Sequence, residues 1–177
     1  MNTDHINRGL DAAAAPVMLG GTTRTLTLIA TIGAGIAAGV FFAFSTFVMA
    51  GLRKLPPAQG LAAMQQINIA APTPPFMIVL FGTALISVVL GVGALRHLDS
   101  PGAMLRLVGA AAYLLAIVLT AAYHVPHNDA LAKLDPRAAG SAHAWLVYAR
   151  DWTALNHLRT LGSAAGTALF ALSLRIR

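Results

Sequence analysis

Apolar residues run through this chain in four long stretches, at about 26–49, 75–95, 103–123 and 155–174. Each is close to the ~20 residues that a bilayer crossing requires. The first contains no charged residue, the third carries Arg106 close to its start, and the fourth carries Arg159 near its beginning. An arginine near the end of a span can extend its stem along apolar surface and keep its head in the interface. A water-soluble bundle would instead need a charged outer face on every helix. The pattern predicts an all-α fold: a four-helix transmembrane bundle with two short helical elements in the long loops on one side.

Four crossings put both termini on one side. A short turn, Asp99-Ser100-Pro101-Gly102, joins the second and third spans, while the long connections 50–74 and 124–154 lie together on the opposite side. Pro57 can open a short helix that ends before Pro72, with Leu61, Met64 and Asn68 on one face. In the third connection Pro126 is expected to end the third helix, Asn128 to cap a short helix through Lys133, and Ser141 to cap the helix leading into the fourth span. Residues 1–24 lack an apolar run and read as a flexible tail. Residues 25–177 read as one membrane domain whose first span is too long for the core of a cleaved secretory signal. Gly35 and Gly39 form a small-xxx-small face in the first span, with Ala110–Ala112 and Ala164–Ala168 as similar surfaces. These favour close packing within the monomer and also offer a route to a homo-oligomer.

Composition narrows the function classes. Apolar residues make up 57% of the chain and charged residues 10%, with a mean hydropathy of +0.70. The formal charge is +6, but Lys and Arg are scattered singly at helix ends, as membrane flanks are, which argues against a nucleic-acid partner. The two sides carry equal numbers of Lys and Arg. Setting Arg150 and Arg159 aside for a site tilts the termini towards the cytoplasm, with a bacterial inner membrane as the expected location. Cysteine is absent, which removes disulfides, thiolate metal ligation and thiol redox chemistry. All six acidic residues are Asp, none inside a span, which weakens an ion- or proton-coupled transporter.

The candidate chemistry lies where the last span begins. Trp145, Trp152, Asn156 and Arg159 are separated by offsets of 7, 11 and 14, which fall within roughly 60° of arc on one helix. Ser163 and Gly166 extend the stripe, and Leu155, Leu158, Leu161 and Leu169 sit largely off it. Polar groups are expensive against lipid, so the stripe should face protein or water inside a bundle. A guanidinium cannot shed its charge, so Arg159 must pair, snorkel or bind an anion. The indoles either belt the interface or wall a pocket for a flat aromatic ligand. His124 follows Tyr113 and Thr120 on one face of the third helix and is a candidate general base. His124, His127, His143 and His157 fall on the long-loop side, but Pro126 interrupts the pair and neither Cys nor Glu assists, so no metal is expected. Asn68 and Asn128 either brace loops or converge with Asn156 on an oxyanion.

Four segments in this order resemble the anthrone-oxygenase-like family of small four-span membrane proteins: FFAFSTFVMAGL, AAMQQIN, VPHNDALA, and W-x6-W-x3-N-x2-R. The resemblance runs from about Gly35 to the C-terminus. It implies oxidation of a tricyclic anthrone by O2 without metal or flavin, and carries over Asn68, Asn128, Trp152, Asn156 and Arg159 as site positions. Together the residues and the resemblance give Arg159, Asn156 and His124 as catalytic candidates. Asn68, Asn128, Trp145 and Trp152 are the candidates for binding a small apolar aromatic substrate. The alternatives are a noncatalytic membrane protein that binds a lipid or quinone, or a subunit of a membrane complex.

Overall fold

The computed structural model describes residues 4–176, and of residues 4–19 the backbone alone. It is all-helical among the described residues. Helix α1 (Asp4–Ala43) passes through a π-helical turn (Phe44–Val48) into α2 (Met49–Lys54), followed by α3 (Pro57–Ala70) and α4 (Pro74–Arg96). Helix α5 (Ala103–Leu119) passes through a second π turn (Thr120–His124) into α6 (Val125–Ala132), and α7 (Ser141–Ser173) closes the chain. The expected tail over 1–24 falls largely outside the described side chains, and the backbone from Asp4 is continuous with the first span.

Among the described residues three helical stretches are long and apolar enough to cross a membrane: Gly20–Lys54, Pro74–Arg96 and Ala103–Ala132. They contain the first three expected spans. The fourth expected stretch lies inside α7, whose polar stripe lowers its hydropathy below that of the others. The long helices pack in the cyclic order α1, α4, α5, α7 and back to α1. Their outer faces are apolar, with Ile32, Ile78, Leu85, Leu115 and Leu161 exposed, while Thr27, Ser87, His124, Asn156 and Ser163 are buried. Apolar residues outside and polar ones inside is the arrangement lipid selects.

The closest helix approach is not the expected Gly35–Gly39 face. A side chain at Gly39 would meet open space, whereas one at Gly162 would come within 2.7 Å of the Ala112 carbonyl and one at Gly166 within 3.1 Å of the Gly109 carbonyl. Helices α5 and α7 are therefore in backbone contact, through the small-residue surfaces expected around Ala110–Ala112 and Ala164–Ala168.

The long connections fold back as a helical cap. Pro57 opens α3 as expected, and Leu61 and Met64 pack with Met49, Leu131, Trp145 and Ala149 in one apolar cluster. Gln65 Nε2 donates to the carbonyls of Leu131 and Leu134, both at 2.9 Å, tying α3 to the end of α6. Two expectations need correction here. Pro126 does not end the third helix but lies in the first turn of α6. The preceding π turn resets the hydrogen-bond ladder, so a missing N–H at that point disrupts little. Asn128 consequently lies inside α6 rather than at its cap. Nor does Ser141 cap α7: Gly140 holds the cap position at φ 88°, and the Ser141 hydroxyl donates to the Asp135 carbonyl at 2.6 Å.

Candidate functional site

The stripe predicted on the last helix exists. Along α7 the buried positions include Trp145, Tyr148, Trp152, Asn156, Arg159, Ser163 and Gly166, while Leu158 and Leu161 face outward. One unbroken helix thus carries a polar file into the interior, where α1 and α5 meet it.

At its centre Asn156 is fully buried. Its Nδ2 donates to the Phe41 carbonyl and to Ser45 Oγ, each at 2.8 Å. A carbonyl only accepts, so the amide orientation is fixed with nitrogen towards α1. Both N–H donors are used in joining the first and last long helices, and Oδ1 is left buried without a partner. Asn156 therefore offers a ligand an acceptor. Ser45 belongs to the first π turn and also shares a hydrogen bond with Thr160 at 3.1 Å.

Arg159 lies one turn further on and is 6% exposed. Its Cζ sits 3.9 Å from the centre of the Phe41 ring and 5.9 Å from that of Trp152. It makes no ion pair or hydrogen bond with any described residue, and its Nε is buried without an acceptor. An unpaired buried charge costs several kcal/mol, and cation–π contact returns about 0.5–2 kcal/mol. The guanidinium is under-compensated by protein. Arg150, the other arginine set aside for a site, is exposed and binds Asp151 at 2.6 Å. That contact holds the Asp151 carboxyl below its ordinary value.

His124 ends the second π turn and is 1% exposed. Its Nδ1 lies 3.1 Å from the Leu119 carbonyl, so Nδ1 must carry the proton and donate. The lone pair then sits on Nε2, which is buried and has no partner. The ring meets the Trp152 indole edge-on at 5.0 Å, and the same indole lies against the Arg159 guanidinium. Trp152 in turn packs against Phe44 at 5.7 Å.

Behind this cluster, Asn128 Oδ1 accepts from Tyr148 Oη at 2.8 Å and from Trp152 Nε1 at 3.0 Å. The indole N–H is thus committed, and Trp152 presents its apolar surface. The Asn68 amide approaches the Tyr148 phenol from α3, yet its Nδ2 is buried without a partner. Burial pushes the Tyr148 phenol above its ordinary value, so it stays a donor. Tyr148 also lines an open groove of about 440 Å³ shared with Tyr123, His127, Leu131, His143 and Val147. His127 stacks on Tyr123 at 3.8 Å and is exposed, as are His143 and His157. Among the described residues no three His or Asp side chains converge as a metal-binding group.

Trp145 lies furthest from Arg159 along the file, in the apolar cluster that also holds Tyr148 and Trp152. It stacks on Tyr148 at 5.9 Å and packs so closely on Gly60 that a Cβ there would lie 3.0 Å from the indole. It belongs to the apolar cap. Conversely, Phe41 and Ser45 could not be singled out by the periodicity of α7, because they answer it from another helix, whereas Tyr148 shares the angle of Gly166 and was within reach of the same counting.

Among the described residues five buried side-chain polar atoms have no partner: Asn68 Nδ2, His124 Nε2, Asn156 Oδ1, Arg159 Nε and Ser163 Oγ. Four of these residues are among the sequence candidates, and the fifth extends their stripe. Buried polar groups in native folds are nearly always satisfied, so these unsatisfied ones make the region the candidate site. No curated protein and no solved structure matches the chain. A family model described as anthrone oxygenase matches residues 76–169, narrower than the expected span from Gly35 and leaving Phe41, Ser45 and Asn68 outside. That match covers more than half of the sequence and includes His124, Asn128, Trp152, Asn156 and Arg159, so the chain belongs to the anthrone oxygenase family.

Proposed function

We propose that this membrane protein is a cofactor-independent oxygenase acting on a flat phenolic, polyketide-like substrate, with O2 as co-substrate. The observation that carries the reading is Arg159, buried, unpaired and clamped between aromatic rings beside a histidine with a free buried lone pair. In this reading the apolar half of α7 is a fourth crossing. Its outward Leu158, Leu161 and Leu172 and its packing between α1 and α5 support a four-span bundle. Both termini then lie on one side, the cytoplasmic face of a bacterial inner membrane.

For an anthrone, the overall change is a ring CH2 plus O2 giving C=O plus H2O. His124 Nε2 takes one methylene proton, and the charge left behind spreads onto the substrate oxygen. Arg159 donates to that oxygen, and Asn156 Oδ1 accepts from a neighbouring phenol. The electron-rich anion then passes an electron to O2. The substrate radical and superoxide join in a new C–O bond, and the peroxide takes back the proton held by His124. Loss of the remaining C–H proton with cleavage of the O–O bond then releases water and leaves the C=O. Lowering the C–H pKa by three units takes about 4 kcal/mol at 1.36 kcal/mol per unit. One charge-assisted and one neutral hydrogen bond supply roughly that. Trp152 and Phe44 provide the apolar wall on which the ring system lies.

The test is O2 uptake by the purified chain in detergent with a model anthrone, with and without a chelator. Turnover unaffected by chelator is expected. Arg159→Lys keeps the charge but loses the planar fork, and a fall of roughly 10²-fold with unchanged expression is expected. Full activity in that variant argues against the role, and chelator-sensitive turnover argues against the cofactor-free chemistry.

A further inference from the structure

The charge on Arg159 needs an answer even when no organic molecule is bound. The side chain is 6% exposed. Among the described residues no carboxylate reaches it: Asp151, the acidic residue nearest to it along α7, is held by Arg150 at 2.6 Å. Aromatic contact meets only the flat faces of a guanidinium. Phe41 lies 3.9 Å from Cζ, and Trp152 lies 5.9 Å away. The N–H bonds lie in the plane between those faces, and Nε there is buried without an acceptor. One turn further along the same file, the Ser163 hydroxyl is fully buried and also unpartnered. A charged fork beside aromatic rings and without a carboxylate has the chemistry to take one small monovalent anion.

We infer that Arg159 is a binding site for a weakly hydrated inorganic monovalent anion such as a halide or nitrate, and that such anions compete with the substrate. The inference rests on the same guanidinium as the proposed activity but not on its chemistry. Anions that lose water easily enter a dry site at least cost. Iodide should therefore bind more tightly than chloride, and chloride more tightly than fluoride.

Trp152 supplies the probe, because iodide held at the guanidinium lies beside the indole and quenches it. Trp145, buried in the same apolar cluster as Trp152 but about 10 Å further along α7 from Arg159, contributes a background that Trp145→Phe removes. The full chain in uncharged detergent is titrated with iodide against gluconate at constant ionic strength. Expected are a saturable loss of emission, a shift of its midpoint to higher iodide when chloride is present, and no effect of fluoride. Arg159→Gln should leave only the linear, collisional component. Trp152→Phe should lose the optical signal yet keep an iodide-dependent rise in melting temperature of about 2–4 °C. With substrate, chloride should raise KM and leave kcat unchanged.

Linear quenching identical in the natural chain and in Arg159→Gln overturns the inference. So does a saturable signal produced by phosphatidylglycerol and not by halide, which would make the ligand a lipid headgroup. Halide binding without anthrone oxidation leaves the inference standing and removes the activity, and oxidation without halide binding does the reverse.

Discussion

Two arginines sit at opposite ends of the molecule, Arg106 at the start of α5 and Arg159 within α7, and their surroundings differ. Arg106, at the short-turn end, donates to the Pro101 carbonyl at 2.9 Å and to Ser100 Oγ at 3.0 Å. It braces the turn from which α5 starts and retains partial exposure. Arg159, at the long-loop end, is more deeply buried, makes no hydrogen bond to a described residue and faces aromatic rings. The short-turn end has solved its polar accounting locally, as snorkelling residues do. The long-loop end has left its accounting open, and an open account inside a packed bundle is what a binding site requires. The identity of a residue and its place in a span did not distinguish the two; their partners do.

The largest effect should come from exchanging each arginine for methionine, which keeps the apolar stem and removes the charge. For Arg159→Met, anthrone-dependent O2 uptake should fall by about 10²-fold or more. Its melting temperature should hold or rise, because an uncompensated buried charge is gone. For Arg106→Met the pattern should invert: turnover unchanged and stability lower by about 1 kcal/mol from the lost turn contacts. Loss of stability in the Arg159 variant without loss of turnover would erase the distinction between the two ends.

Asn156→Ala sharpens the same contrast, since this residue serves both purposes. Removing its Nδ2 breaks the 2.8 Å bonds to the Phe41 carbonyl and Ser45. A destabilisation of about 2 kcal/mol is expected, read as a lower melting temperature in detergent, together with slower turnover. A purely catalytic residue would leave the melting temperature in place.

Much of this site was legible from spacing alone, and the failures have physical causes. The file from Trp152 to Ser163 was readable because α7 is one uninterrupted helix, so its angular positions follow from counting. Counting angles ignores depth. Trp145 precedes Arg159 by 14 residues, or about 21 Å at 1.5 Å per residue, so it shares the face but belongs to the cap. Phe41 and Ser45 were hidden because the π turn that adjoins or contains them adds a residue to the helix without any sequence signature. The second π turn similarly concealed that the helix runs on through Pro126. The donor capacity of Asn156 could not be judged either, because its partners come from a helix more than a hundred residues earlier.

The smallest effect, and the most local, belongs to Tyr148→Phe. The phenol donates to Asn128 Oδ1 at 2.8 Å, and the same oxygen accepts from Trp152, so Tyr148 braces the indole that backs His124. It lines the open groove while reaching this network, which makes it a positioning residue between the two. Removing the hydroxyl should cost about 1 kcal/mol and raise KM modestly while kcat changes little. The pH dependence supplies an independent reading. Burial raises the folded-state pKa of this phenol. Its contribution is therefore fully present below the ordinary phenol value of about 10 and is lost as the pH rises towards the folded value. Stability of the natural chain should fall on that alkaline limb more steeply than stability of Tyr148→Phe, measured by melting temperature across the range. Parallel limbs would mean that the phenol is solvated in both states, and its bond to Asn128 would then hold nothing in place.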